Sequence, residues 1–588
     1  MIKQKTSKHN VFRNEIILFI IACLAYGNTI NNDFVLDDDV VYLKNKFVQE
    51  GFSGIDDIFS NGFLYGYNLK NDQSYRPLVL FNFAIEHQLF GNNPKAHHLI
   101  GVLLYGLAIL VLYRYLIIAF KEKDKWLAFW IALLFGLHPI HTEVVANIKG
   151  RDEILHFIFY ISTLLFLLKF MDSNKKLKYL LYSIITCLAA LLSKEMAVTL
   201  LASIPLSLFI FRKVDWQSSK QLFMLLIPFG IYFLIRNMVL DTITFEEKMS
   251  VINNTIAASN DFSEKLGTTI YIFSEYVKLL FFPHPLAWDY SYPHFKIVNL
   301  TNLRVLGTIF LFLLSLIGSI YYGLKKKSVI AFGYLFFLIS FSIVSNFFIL
   351  IGSTLGERFL FLPSIGFILV LVFGIKIMFE QIKNRNKQKQ FMMCIFSTIA
   401  LLYIIKSIHR NKEWKNNNSL FIAGFYATPN NSRAVSAYAS TFRSLGELSQ
   451  NPQVRKNNFL NAITWYTKSI ELYPNVADTW YNLGVSYNGL NQIEDAKKAY
   501  IETLNIESKH INAQNNLGVI YFQAKNYHEA LKHFNNCIKI NNQFQSAYAN
   551  LGAVYHNLGD KENARKYYIK ALKLNPNDKN TMNNMKQL

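Results

Sequence analysis

An all-α fold is predicted for this chain: a polytopic membrane helix bundle followed by an α-solenoid of helical hairpins. Three observations predict it. Hydrophobic residues make up 52% of the 588 positions and mean hydropathy is +0.20, too apolar for an ordinary soluble chain of this length. The apolar residues gather into runs long enough, or nearly so, to span a bilayer. Past residue 410 the runs give way to Asn, Lys, Glu and Ala, and a 34-residue period begins.

The runs centre on 15–31, 98–120, 126–148, 154–171, 179–192, 196–211, 221–240, 303–324, 329–351, 359–379 and 391–408. About eleven membrane helices are therefore expected, with 179–192 and 196–211 short enough to be half-helices around the break at Ser193-Lys194-Glu195. The first run follows Lys3, Lys5, Lys8 and Arg13 and lacks a small-residue cleavage pattern, so it reads as an uncleaved signal anchor with a cytoplasmic N-terminus. Alternation from there makes 1–14, 121–125, 172–178, 212–220, 325–327 and 380–389 the inner segments. They hold 20 Lys/Arg against 5 Asp/Glu, so most of the net charge of +21 is a positive-inside signal and no nucleic-acid partner is implied. The loop 31–96, with nine acidic and five basic residues, falls outside, as does the loop 241–302. In the latter, Leu266, Ile270, Phe273, Val277, Leu280 and Phe281 recur at helical steps, which suits a helix in the membrane interface, ended by Pro283 and Pro285. An odd number of spans places the C-terminal third outside as well. Cys23, Cys187, Cys394 and Cys537 suggest no disulfide framework.

The domain reading is 1–408 membrane domain, 409–433 linker and 434–588 repeats. Leu483-Gly484, Leu517-Gly518 and Leu551-Gly552 stand 34 residues apart, as do Tyr487, Tyr521 and Tyr555, then Ala496, Ala530 and Ala564, then Tyr500, Phe534 and Tyr568. The pattern resembles the tetratricopeptide repeat. The glycines let two helices approach, the alanines fit between them, and stacking buries what one repeat cannot bury alone. An irregular unit precedes these three: Ala462 and Tyr466 keep register, Leu445-Gly446 is displaced by four, and Asn451 to Asn458 is expected to lengthen the turn.

The unusual polar groups all fall on the outer side of this topology. They are Asp37-Asp38-Asp39 and Arg76, then His138, His141 and Glu143 with Lys149 to Glu153, then Lys194-Glu195, Asp289 and Glu357-Arg358. Charges at a membrane edge are costly and point to function. Cations at Arg76, Arg151, Lys194 and Arg358 suit a lipid phosphate, and a carboxylate near an acceptor hydroxyl can take its proton as a sugar–phosphate bond breaks. The competing structural readings are ion pairs at Lys194-Glu195 and Glu357-Arg358, a loop braced by Arg76, and a solvated acidic turn at Asp37 to Asp39. Neighbours in sequence do not face each other on a helix, so each member of the two pairs needs its own partner. His138, His141 and Glu143 also have the spacing of a metal site, but Pro139 reads as a helix start and hydrogen bonding or a place near donor phosphate is favoured, with no metal or cofactor firmly implied.

Phe34-Val35-Leu36-Asp37-Asp38, Tyr75-Arg76-Pro77-Leu78, His138-Pro139-Ile140-His141-Thr142-Glu143 with Gly150-Arg151, Leu192-Ser193-Lys194-Glu195, Asp289-Tyr290-Ser291 and Glu357-Arg358 with Leu362-Pro363-Ser364 follow one another in order. This series, with the repeats behind it, resembles the transmembrane-and-TPR-containing O-mannosyltransferases from about residue 30 to the end. The resemblance implies a GT-C fold and inverting transfer of a sugar, mannose in the eukaryotic members, from a polyprenyl-phosphate sugar to Ser/Thr hydroxyls of exported proteins held by the repeats. It puts the family's acidic pair on Asp37 and Asp38, with Asp37 as base, and Arg76, His138, His141, Glu143, Arg151, Lys194, Glu195, Glu357 and Arg358 around donor phosphate and sugar. Short loops and about four repeats resemble bacterial relatives, which implies a periplasmic-facing site in an inner membrane. The alternatives are a lipid or glycan glycosyltransferase with the same donor class, and a non-enzymatic membrane scaffold.

Overall fold

The computed structural model describes residues 2–67, 73–213, 220–240 and 249–588, so 68–72 of the first long loop, 214–219 of an inner segment and 241–248 of the second long loop lie outside the described residues. All regular structure among the described residues is helical. Each of the eleven apolar runs contains helix, but 126–148 is broken at His138, 329–351 is helical only to Val344, and the helices differ in length. Val11–Asn31, Pro94–Ala119, Ile148–Asp172, Lys220–Val239, Leu303–Lys326 and Arg385–Glu413 are long and apolar enough to cross a membrane. Lys125–Leu137 and Pro139–Ala146 make a seventh candidate span, bent by 50°. Leu177–Ser193, Glu195–Phe211, Val329–Val344 and Ser364–Met378 are shorter.

The short and bent elements end where the polar motifs sit. His138 is extended ahead of Pro139, and Lys194, at φ −163° and ψ 134°, separates the helix ending at Ser193 from the turn starting at Glu195. A helix interrupted at membrane depth frees backbone groups that must be paired inside the protein, so such breaks belong against other protein rather than lipid.

The first long loop folds into a cap of short helices: Lys46–Gln49, Ile55–Ser60 and Pro77–Phe90. Val41, Tyr42, Val48, Ile58, Val79, Leu80 and Phe83 form its core together with Ile148. In the second long loop the expected amphipathic helix runs Phe262–Phe281, with the Asp261 side chain accepting from the N–H of Glu264 at 2.8 Å.

The chain forms two compact units, one of residues up to Tyr290 with Phe295–Ala423, the other of Ser291–His294 with Gly424–Leu588. The division falls inside the stretch 409–433, most of which is helical. The last apolar helix continues through buried Arg410 and Asn411 to Glu413, and Asn417–Ala427 is again helical.

In the second unit the helix pairs Ala477–Gly489 with Ile493–Ile506, Ile511–Gln523 with Tyr527–Ile540, and Gln545–Asn557 with Lys561–Leu574 realise the 34-residue period. A Cβ on Gly484, Gly518 or Gly552 would stand 2.6, 2.6 or 2.5 Å from the ring of Tyr500, Phe534 or Tyr568. The glycine thus makes room for the aromatic ring of its own repeat. In the irregular first unit, Asn451 to Asn458 does not lengthen the turn. Asn451 caps Gln453 N at 2.9 Å, Pro452 occupies the first helical position, and the extra residues extend the second helix to Pro452–Leu472.

Candidate functional site

The three consecutive carboxylates have three different fates. Leu36, at φ +49°, is held in this left-handed conformation by Asn417 Oδ1, which accepts from Leu36 N at 3.0 Å, while Val35 packs with Ala146, Trp414 and Leu420. Beyond it Asp38 is fully buried, its Oδ2 accepting from Val35 N at 2.9 Å and its Oδ1 from Lys149 N at 2.8 Å. It ties the loop to the turn at Asn147–Gly150. Burial pushes the pKa of Asp38 up to about 7, the two N–H groups pulling down and Asp37 and Asp39 adding to the rise. Asp39 pairs with Lys44 at 2.6 Å near solvent. Asp37 is exposed, close enough to Lys149 and Arg358 for its charge to act on both.

Beside it lies a dense ion-pair cluster. Arg76 donates from Nε and Nη2 to the two oxygens of Glu195, at 2.9 and 2.5 Å, and from Nη1 to Asp152 Oδ2 at 2.7 Å. Lys194 donates to Asp152 at 3.2 Å and Glu153 at 2.5 Å, and Lys149 Nζ stands 3.7 Å from Asp152. Lys194 and Glu195 therefore face different partners, as their adjacency requires. Glu357 and Arg358 do the same. Arg358 donates from its backbone N–H and from Nη1 to Glu143, at 2.9 and 2.5 Å, while Glu357 is turned inward. Glu357 Oε1 accepts from Ala287 N at 2.7 Å and the Tyr290 hydroxyl at 2.9 Å, with Arg410 Nη2 at 3.7 Å. Burial pushes the Glu357 pKa up to about 8, in spite of Arg410.

Three predicted residues belong to neither of these clusters. Arg151 is buried in a separate network, donating to Glu86 and Asn82 and to the carbonyl of His97 at 2.9 Å, while His97 Nδ1 and Glu86 Oε2 are 2.6 Å apart. His138 has Nε2 3.0 Å from the carbonyl of Leu280 and takes the N–H of Ile140 on Nδ1. His141 lies between the Tyr105 hydroxyl and Ser364 Oγ, both at 3.0 Å. Both rings are fully buried and spend their nitrogens on packing the bend. Among the described residues no three His, Cys, Asp or Glu side chains stand together as metal ligands would.

Arg76, Arg151, Lys194 and Arg358, read from sequence as phosphate holders, are each already paired with a carboxylate. Lys149, whose carboxylate contact is long, and Arg358, whose side chain is 29% exposed, have donors left over at the site. Sequence reading placed Asp152 and Glu153 among the polar groups of the outer side but gave them no role at the site, and it missed the buried Arg410. The first two stand inside a charged stretch that gives no hint of which member faces Lys194, and Arg410 stands at the margin of its apolar run. Two adjoining apolar cavities, of about 620 and 390 Å³, share Phe273, Thr308 and Phe312. They reach Thr199, just past Glu195, and Leu280, whose carbonyl holds His138.

These features define a class: a polytopic membrane protein with a charged, loop-capped site in its first unit and tetratricopeptide repeats in its second. The family model described as dolichyl-phosphate-mannose-protein mannosyltransferase matches residues 74–236, and tetratricopeptide models match 465–498, 511–544 and 546–578. The chain is 28% identical to a protein O-mannosyl-transferase of Caenorhabditis elegans, over 72% of this chain and 59% of that protein. It is 23% identical to protein O-mannosyl-transferase TMTC3 of Mus musculus, over 83% of this chain and 54% of that one. A crystal structure of MamA aligns with a TM-score of 0.24 and 22% identity, covering 28% of this chain and 94% of that one. The chain is thus a relative, over most of its length, of the transmembrane-and-TPR O-mannosyl-transferases, and it spans less than two thirds of the length of the relatives cited.

Proposed function

We propose that the chain is a membrane glycosyltransferase that moves a sugar, mannose by its relatives' names, from a polyprenyl-phosphate donor to Ser/Thr hydroxyls of exported proteins. The observation that carries the reading is the asymmetry of the acidic pair: Asp38 is buried and anchors the loop, and Asp37 is left exposed beside Lys149 and Arg358. The acceptor oxygen attacks the anomeric carbon from the face opposite the phosphate. Its proton passes to Asp37, the bond from the anomeric carbon to the phosphate oxygen breaks, and the polyprenyl phosphate leaves with the electron pair, inverting the configuration. Phosphate is a good leaving group, so one base suffices.

Lys149 and Arg358 have donors to spare for the phosphate. Arg76, Lys194, Asp152, Glu153 and Glu195 act as a rigid, nearly neutral scaffold that fixes the site's edge. The apolar cavities along Phe273 and Phe312 suit the prenyl chain of such a donor. Tetratricopeptide grooves suit a polypeptide acceptor, which favours protein over lipid or glycan as the receiving group. The test is transfer from radiolabelled polyprenyl-phosphate mannose in membranes carrying the protein, followed by separation into protein and lipid fractions. Label in protein is the expected result; label only in lipid overturns the acceptor, and none in either overturns the donor sugar or the enzyme reading.

A further inference from the structure

A cavity of about 750 Å³ lies at the end of the first unit remote from Asp37, lined by Leu208, Phe209, Arg212, Lys213, Phe223 and Lys327 among others. Its place follows from two helices. Arg151–Asp172 begins beside the Lys194 cluster and ends at Asp172, which takes two bonds from Arg212, at 2.7 and 2.6 Å. At 1.5 Å per residue those ends are about 30 Å apart, one hydrocarbon thickness. Pro94–Ala119 likewise starts by Arg151, through His97, and delivers the carbonyls of Ile118 and Ala119 to Arg212.

We propose that this cavity binds a phospholipid with an anionic head group, in the leaflet facing the positively charged inner segments. Arg212 forms the floor: its donors are spent on Asp172 and on the carbonyls of Ile118, Ala119 and Phe211, and its side chain is buried. Asp172, the carboxylate touching this wall, is thereby neutralised. The lysines stand at the rim. Lys213 is exposed, and Lys327, at φ +48°, ends the helix Leu303–Lys326 with its Nζ 3.4 Å from the carbonyl of Arg212 and 5.2 Å from the Phe209 ring. Below them Phe209 and Phe223 present exposed rings at 43% and 68%. Apolar walls under two ammonium groups match acyl chains under a phosphodiester, and a zwitterionic head group would bring its own ammonium against the lysines. A lysine at an anionic surface contributes about 1 kcal/mol, roughly a fivefold preference.

The full-length protein, delipidated in detergent, is offered equal phosphatidylglycerol and phosphatidylcholine, and retained lipid is counted by native mass spectrometry. The protein is expected to retain phosphatidylglycerol about twenty-five-fold over phosphatidylcholine, two fivefold preferences multiplied, Lys213→Gln/Lys327→Gln to lose most of that preference, and the same-charge control Lys387→Gln/Lys389→Gln to keep it. Equal retention of the two lipids by the unaltered protein overturns the proposal, and so does an equal loss of preference in the control. Circular dichroism and elution volume matching the unaltered protein show that each variant is folded.

Discussion

Asp37 and Asp38 are adjacent, chemically identical and separated by their surroundings alone, one exposed and one buried. Replacing Asp38 with Ala leaves the N–H of Val35 buried without its acceptor, at about 1–3 kcal/mol, while the N–H of Lys149 keeps only Asn147 Oδ1 at 3.0 Å. The expected outcome is a lower thermal midpoint and faster proteolysis of the 31–96 cap, whereas Asp37→Ala leaves both unchanged. Glu357 supplies a pH test. Its carboxyl, raised to about 8, binds a proton more readily folded than unfolded, so its contribution to stability is complete at low pH and is lost as pH rises from about 4.5 to 8. Scanning fluorimetry of the purified chain is expected to show a midpoint that falls between pH 5 and pH 8, and a shallower fall in Glu357→Gln. An identical slope in both would show that Glu357 titrates normally. The sequence marked these residues as a group because charges at a membrane edge are rare. It could not divide them, since the burial that separates Asp38 from Asp37, or Glu357 from Arg358, comes from Lys149, Ala287 and Tyr290, far away in the chain.

Helix pairs of the repeat type were legible at element scale because their determinants are local and recur. Gly518 and Phe534 meet within one hairpin, and the same meeting is spelled out in the repeats on either side. Gly518→Ala puts a methyl group 2.6 Å from the Phe534 ring, and overpacking of this kind costs about 1–3 kcal/mol. The measurement is chemical denaturation of the full chain followed by tryptophan fluorescence; a midpoint equal to that of the unaltered protein would mean the ring moves aside freely. One reading failed on a local signal: Asn451 to Asn458 resembled an insertion in a turn, but Asn451 and Pro452 together start a helix earlier. Where determinants were not local the sequence was silent, since nothing in it pairs Arg151 with Glu86 and His97, remote in the chain.

At the scale of the whole molecule, the topology we propose from loop charge puts Asp37, Arg358 and the repeats on the exported side and Lys213 and Lys327 on the inner side. Alkaline phosphatase, which is active only when exported, is expected to be active fused after residue 588 and inactive fused after Lys213. The reverse result would invert the topology and place the acidic loop on the wrong side for an exported acceptor. The central claim is narrower: an exposed carboxylate does the proton transfer and its buried neighbour holds it in place. It is tested most directly by sugar transfer from labelled polyprenyl-phosphate mannose to protein by Asp37→Asn, in membranes where the variant accumulates to the normal level. The account predicts a loss of about 100-fold or more with an unchanged thermal midpoint, the scale of a missing general base. Transfer at the normal rate would contradict it.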